Sequence, residues 1–331
     1  MNEIMFDKVK KIRKIGAGMF GTTYLIEING KRYALKKEHI LEEDFHKNTK
    51  SRVWREIIFC KKMENISNHF MHLYAYRFIK DCRFKHKPPT SIEEIQNEEV
   101  KELVQSITES SYCVEKIFDL KDGTLNKVFW KLDIKQMYAM LIQLIYAIYE
   151  MRRHHFIHRD LHMNNVCYTK TNKEYIEILD WKIPTFGYIY SIIDYGLIIS
   201  DRFELTQPEH IDLNYFQNTS EVVTLIKEMM VIDWKFWNYI KQNKIKLISF
   251  RDYIKQIKHE PEFDVIKLMT SDPIHIELLF STLYPEKDQR IKTGKDIFIS
   301  PLYIIPKEEI LYIIIHINEP KKVIEYLYSK L

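Results

Sequence analysis

With 331 residues, 46% hydrophobic and 29% charged, the chain has the material for a large buried core, and a disordered class is excluded. A net charge of +4 is mild for this length and gives no ground for direct nucleic-acid binding. The four cysteines, Cys60, Cys82, Cys113 and Cys167, form no CxxC pair. Neither a zinc site nor a disulfide framework is expected from them, and a reducing intracellular setting, cytoplasmic or nuclear, fits best.

The opening MNEIMFDKVKKIRK has no apolar signal core, and no apolar run reaches the roughly 18 residues of a membrane span, so no membrane association is expected. Two β-leaning stretches, KKIRKIGAGMF and GTTYLIEI, flank Gly16, Gly18 and Gly21, which are three of only eight glycines. Clustering of that kind marks a tight turn or a close approach of backbone to a ligand. Asn29-Gly30, between TYLIEI and KRYALKK, predicts a type I′ hairpin, whose central residues both need positive φ. The glycine loop therefore joins two antiparallel strands, which excludes the dinucleotide-binding form of GxGxxG, where a helix must follow at once.

Alternation along YALK puts Ala34 and Lys36 on one strand face, where a lysine can reach a phosphate under a glycine flap. TKSRVWREIIFCKKMEN has helical spacing, with Val53, Ile57, Cys60 and Ile58 as its apolar side, and Glu56 on it can pair with Lys36. Taken singly, Lys36 and Glu56 read as ordinary surface charges. The stretch 82–110 is a polar insert without evident chemistry, with a short helix started by Ser91. In DIKQMYAMLIQLIYAIYEM, Met137, Leu141, Leu144, Ile145 and Ile148 keep helical spacing. That helix delivers the loop FIHRDLHMNNVCY, which holds Asp160 and Asn165, and the apolar YSIIDYGLII later presents Asp194-Tyr195-Gly196. The stretch 219–280, with Trp234, Phe236 and Trp237, reads as helices and core aromatics.

GxGxFG, AxK, a helical Glu, HRDxxxxN and DYG, in that order from Gly16 to Gly196, resemble the signature set of eukaryotic-type protein kinases. DQRIKTGKDIFISPLY is similar to the last helix of that fold. Within the superfamily, HRDLHMNN and IPTFGYIYSIIDYG look most like the haspin-like Ser/Thr kinases, although Gly196 stands where haspin has a Thr. Kinases of large DNA viruses are also similar, and an Ile/Lys/Tyr/Asn-rich, glycine-poor composition suits an AT-rich viral genome, which would place the protein in a host cell or virion.

The resemblance implies an α+β, bilobal fold. Residues 1–116 would form a small lobe of five antiparallel strands and one helix, carrying the insert 82–110; residues 117–331 would form a mainly helical lobe with the catalytic loop 158–165 and DYG 194–196. It implies ATP and Mg²⁺ as cofactors, a protein substrate with a Ser or Thr acceptor, basic and histone-like among the candidates, and a monomer. Gly16, Ala17, Gly18 and Gly21 would lie over the phosphates with Phe20 capping the tip, and Thr23 and Ala34 would cover the adenine faces. The adenine edge would meet the backbone around Glu115–Ile117. Lys36, oriented by Glu56, would neutralise phosphate charge, Asn165 and Asp194 would hold Mg²⁺, and Asp160 would accept the substrate's hydroxyl proton.

His158 and Arg159 would brace the loop, and Tyr195 would pack under the helix bearing Glu56, beside Cys60 and His158. His162 stands where most Ser/Thr kinases have a Lys; a partly charged imidazole near the γ-phosphate and a structural hydrogen-bonding role are both open. The segment after Gly196 is either short, with Glu209 of TQPEH paired to Arg290, or rebuilt as in haspin-like kinases, the second being favoured and implying no activation by phosphorylation. Two other readings stay open: a small-molecule kinase, since DLHxxN loops occur in aminoglycoside- and choline-kinase-like enzymes, and a pseudokinase scaffold.

Overall fold

The computed structural model describes residues 3–86, 91, 93, 98–203, 305–306, 309–310, 312–313, 316 and 319–331. Pro208, Glu209 and Arg290, and the stretches 219–280 and 288–303, lie outside them. The chain divides into two units, each mixed α+β with antiparallel sheet. The first runs to Asp122 and regains the stretch opening at Ile193; the second begins at Gly123 and includes residues up to Ile192. A boundary at 116/117 would cut the last strand of the first unit's sheet, so the expected division moves past that strand's end.

In the first unit α1 (Glu3–Asp7) precedes β1 (Lys10–Ala17), β2 (Gly21–Ile28) and β3 (Lys31–Ile40). Then come α2 (Arg52–Met63), β4 (Leu73–Ile79), α3 (Glu98–Glu109) and β5 (Tyr112–Asp119). The five strands form one antiparallel sheet in the order β1-β2-β3-β5-β4. Asn29 (φ 49°) and Gly30 (φ 77°) make the β2–β3 turn as their dipeptide predicts. Period-2 alternation splits the sheet's faces. Ile26, Ile28, Leu35, Ala75 and Ile117 bury against Phe6 of α1 on one face, and Lys36 and Lys116, directly paired across β3 and β5, belong to the other.

Helix α2 buries Val53, Ile57, Phe59, Cys60 and Met63. Phe59 takes the place expected of Ile58, which is half-buried, because its ring packs edge-on to Phe70 and lies 4.2 Å from Tyr195. The unit holds three α-helices among its described residues, not one. Within the insert, α3 (Glu98–Glu109) buries Val104 and Ile107, and most of the short helix expected from Ser91 lies outside the described residues. The cysteines also depart from expectation: Cys82 and Cys113 form a disulfide. Their separation of 31 residues has no signature, and only the return of the chain through α3 brings the insert's first residue beside β5.

The second unit opens with β6 (Gly123–Thr124) and α4 (Leu125–Val128), then the long α5 (Ile134–Arg153). Asp133 caps α5 by accepting from the Gln136 N–H at 2.9 Å, while its own N–H donates to the Gln136 side chain at 2.9 Å, a reciprocal capping box. Met137, Leu141, Leu144, Ile145 and Ile148 are all buried, as their spacing predicts. After β7 (Phe156–Ile157) come β8 (Val166–Lys170), the hairpin β9 (Tyr175–Ile178) and β10 (Trp181–Pro184), and β11 (Tyr188–Ile192). β8 lies between β11 and β6. Gln143, fully buried on α5, accepts from the Tyr190 N–H at 3.0 Å and donates to the Tyr188 carbonyl at 3.3 Å, locking β11 to the helix. Helix α6 (Pro320–Tyr328) packs along α5. No helix among the described residues is long and apolar enough to cross a membrane.

Candidate active site

The first unit gathers charged side chains on the sheet face under α2. Lys36 Nζ lies 2.8 Å from Asp194 Oδ1, 3.2 Å from Glu56 Oε1 and 3.4 Å from Glu38 Oε1. The expected Lys36–Glu56 pair is thus present, and Asp194 joins it from 158 residues away in sequence. Three further members carry no motif. Lys116 Nζ binds both Glu56 Oε2 and Glu38 Oε2, and Arg52 Nη1 donates to Glu38 Oε1 at 3.1 Å. Three cations (Lys36, Lys116 and Arg52) thereby face three carboxylates (Glu38, Glu56 and Asp194). Lys116, Glu38 and Glu56 are almost fully buried, where ions persist only when paired.

Burial alone would favour neutral Lys36, yet Asp194, Glu38 and Glu56 outweigh it and hold its pKa well above the ordinary lysine value. Burial likewise opposes the Glu38 carboxylate, and Lys116, Lys36 and Arg52 overcome it to hold Glu38 well below the usual range. Lys36 also draws the Asp194 carboxyl down, against a desolvation cost. Asp194 keeps 45% of its side-chain exposure, so one ionised oxygen set is tied to lysine while the group stays reachable by a ligand.

Asp194 sits in left-handed backbone (φ 61°), a conformation disfavoured for a non-glycine residue that turns its carboxylate toward Lys36. Tyr195 behind it is buried against Phe59 of α2, and its hydroxyl accepts from the Met71 N–H at 3.2 Å, in keeping with a packing role under α2. Gly196 abuts Arg52, since a Cβ there would stand 3.1 Å from Nη1.

The loop between β1 and β2 closes through Gly18 N–H donating to the Gly21 carbonyl at 2.9 Å. Phe20 at its tip lies under the Arg52 guanidinium, 3.9 Å from the ring centroid. The three glycines differ in why they are there. A Cβ on Gly21 would stand 2.4 Å from the Lys37 carbonyl oxygen, whereas Gly16 would meet only the Thr23 Cβ at 3.8 Å and Gly18 nothing within 4 Å. Packing requires Gly21 alone. Thr23 pairs with Lys36 across β2 and β3, and Ala34 is buried two residues before Lys36; Ala17 ends β1.

Glu115 and Ile117 do not suit the role expected of them. Their backbone is paired on both sides, with Lys37 and Leu35 of β3 and with Arg77 and Ala75 of β4. Ile117 buries in the cluster on the face away from Lys36. Glu115 is held by Lys37 and Arg77 at 2.9 and 2.8 Å. The alternation that brings Lys116 to the site sends its two neighbours the other way.

In the second unit the loop after β7 gathers Asp160, His162 and Asn165. Asn165 Nδ2 donates to the Asp160 carbonyl at 2.8 Å and to its Oδ2 at 3.0 Å. The Asn165 N–H donates to the His162 carbonyl at 2.8 Å, closing the turn Met163–Asn165. His162 Nδ1 accepts from the Asn164 N–H at 3.2 Å, and its Nε2 lies 3.8 Å from Asp160 Oδ1. Buried His158 accepts from the Asp160 N–H at 3.3 Å, which is a bracing contact, and Arg159 between them adopts φ 68°. Asp160 keeps 42% of its side-chain exposure.

No protein-family model matches the chain, and no match was found among curated proteins.

Proposed function

We propose that the protein is an ATP- and Mg²⁺-dependent, haspin-like protein kinase that transfers the γ-phosphate to Ser or Thr hydroxyls of a protein substrate. The observation that supports this most is Lys36 on β3, held by Glu56 of α2 and by Asp194, beside a glycine loop in which Gly16 and Gly18 answer to no packing need. Side-chain-free backbone where the fold has room for a Cβ is what close approach to a phosphate calls for. Phosphoryl transfer depends on positioning and charge neutralisation, and this arrangement offers both.

In this reading Lys36 neutralises the α- and β-phosphates, and Asp160 takes the proton of the acceptor hydroxyl. Asp160 is oriented for that by Asn165 and His158. The adenine edge meets Leu120–Lys121, the first main chain beyond the β5 ladder, in place of Glu115–Ile117. Each of the two expected ligands, taken by itself, suits Mg²⁺, a hard cation that takes one or two protein oxygens and keeps its waters. Asp194 is held ionised and accessible, and Asn165 spends its amide nitrogen on Asp160 so that Oδ1 remains for the ion. When bound, that ion supplies charge neutralisation on the phosphate oxygens.

The test is transfer of labelled γ-phosphate from Mg·ATP, by the protein alone and with basic proteins including histones, beside Asp160→Asn. Labelled Ser or Thr that falls at least about a hundredfold in the variant is expected, the usual share of a positioned acid–base group. Mg·ATP binding without transfer to any protein would replace this reading by a small-molecule phosphotransferase or a non-catalytic scaffold.

A further inference from the structure

The insert begins with a short stretch that reaches the glycine loop. Cys82 is bonded to Cys113 of β5, and its N–H donates to the Ser111 carbonyl at 2.6 Å. Two residues on, Phe84 stacks on His39 of β3 with centroids 5.0 Å apart, and its carbonyl accepts from His39 Nε2 at 2.7 Å. Two further on, His86 stands between the tip and the base of the loop. Its Nε2 lies 3.1 Å from the Met19 carbonyl, and its Nδ1 lies 3.1 Å from Thr22 Oγ1. A carbonyl only accepts, so Nε2 carries the hydrogen, and a neutral ring then accepts the Thr22 hydroxyl at Nδ1. Burial lowers the His86 pKa and so favours that neutral ring. Disulfide, stacked pair and histidine thus follow one another every second residue along the stretch.

We propose that residues 82–86 are a redox-released strap on the glycine loop, anchored to β5 by the Cys82–Cys113 disulfide and fastened to the loop tip through His86. The release is a thiol–disulfide exchange with a dithiol. Its thiolate attacks Sγ of half-buried Cys82, Cys113 leaves as a thiolate and takes a proton, and the second thiol of the reductant resolves the mixed disulfide. The protein gains two electrons and two protons, and the dithiol becomes a cyclic disulfide. Cys60 and Cys167 are both buried and stand apart from this exchange. The strap itself needs no nucleotide; its effect on phosphate binding rests on the function proposed above.

The experiment is a non-reducing digest followed by hydrogen exchange of peptides covering Gly16–Gly21. Four samples are compared: oxidised protein, protein treated with dithiothreitol, Cys82→Ser and His86→Ala. A linked Cys82–Cys113 peptide is expected, with loop amides exchanging about fivefold faster in the other three samples, the effect of losing about one hydrogen bond. Absence of the linked peptide, or unchanged exchange in either the reduced protein or His86→Ala, overturns the proposal. Should Cys82→Ser fail to fold, those two samples carry the test. Affinity for a fluorescent ATP analogue, measured in parallel, should fall by a similar factor. Faster loop exchange in a protein that binds no nucleotide in any form would uphold the strap and remove the kinase reading alone.

Discussion

Lys116 shows how much a single buried residue decides here. It sits in the middle of a central strand with no exposed surface, and both of its carboxylate partners are buried with it. Removing one partner of such a pair leaves an uncompensated charge, which typically costs about 3–5 kcal/mol. Lys116→Met should therefore lower unfolding free energy in urea by about 3 kcal/mol, the lower end because Lys36 and Arg52 still face the stranded carboxylates. Adding Glu38→Gln to Lys116→Met restores the charge balance and should recover a large part of the loss. A Lys116→Met protein as stable as wild type would mean that the six charges do not form this cluster.

At the scale of elements, the β1–β2 loop and its glycines separate packing from function. Gly21→Ala drives a Cβ into the Lys37 backbone and should cost about 1–3 kcal/mol of stability, as overpacking does. Gly16→Ala and Gly18→Ala meet open space or ordinary contact, so their melting curves should stay within about 0.5 kcal/mol of wild type. Their effect should appear in nucleotide titration, as weakened affinity. If Gly16→Ala and Gly18→Ala bind an ATP analogue as wild type does, the loop is not a phosphate flap.

The same elements show what could be read from sequence. The β2–β3 hairpin, the buried face of α5 and the Lys36–Glu56 pair were legible because turn chemistry, helical period and motif spacing are local or repeating signals. Lys116, Glu38 and Arg52 were not, because a charge in an apolar strand or at a helix start looks like any surface charge until its partners are placed. The expectation that the backbone of Glu115–Ile117 is free to meet a ligand failed for a related reason. VEKIF carries two charges whose faces cannot be told apart locally, and nothing local tells that pairing on both sides persists to Phe118. The Cys82–Cys113 bond depends on the path of a whole insert.

For the molecule as a whole, the charge cluster belongs entirely to the first unit, even though Asp194 arrives only after the chain has passed through the second. Its pH dependence should belong to that unit too. Glu38 and Asp194 titrate below their ordinary values of 4.5 and 3.8, so the stability they contribute is present above those values and is lost as pH falls through the lower folded-state values. Lys36 titrates above its ordinary 10.5, so its contribution is present below 10.5 and is lost as pH rises through the higher folded-state value. Between these limits the cluster adds no slope. On the acid side each carboxylate that must be protonated adds up to about 1.4 kcal/mol of instability per pH unit. Hydrogen exchange read along the chain from pH 7 to 3 should therefore show β3, α2 and β5 losing protection as the pH drops below 4.5. In Glu38→Gln the neutral amide removes one titrating group, so the acid limb for β3 and β5 should be shallower although the protein starts out less stable. Parallel limbs in the two proteins would show that Glu38 is not held ionised by Lys116, Lys36 and Arg52, and the electrostatic account of the cluster would have to be given up.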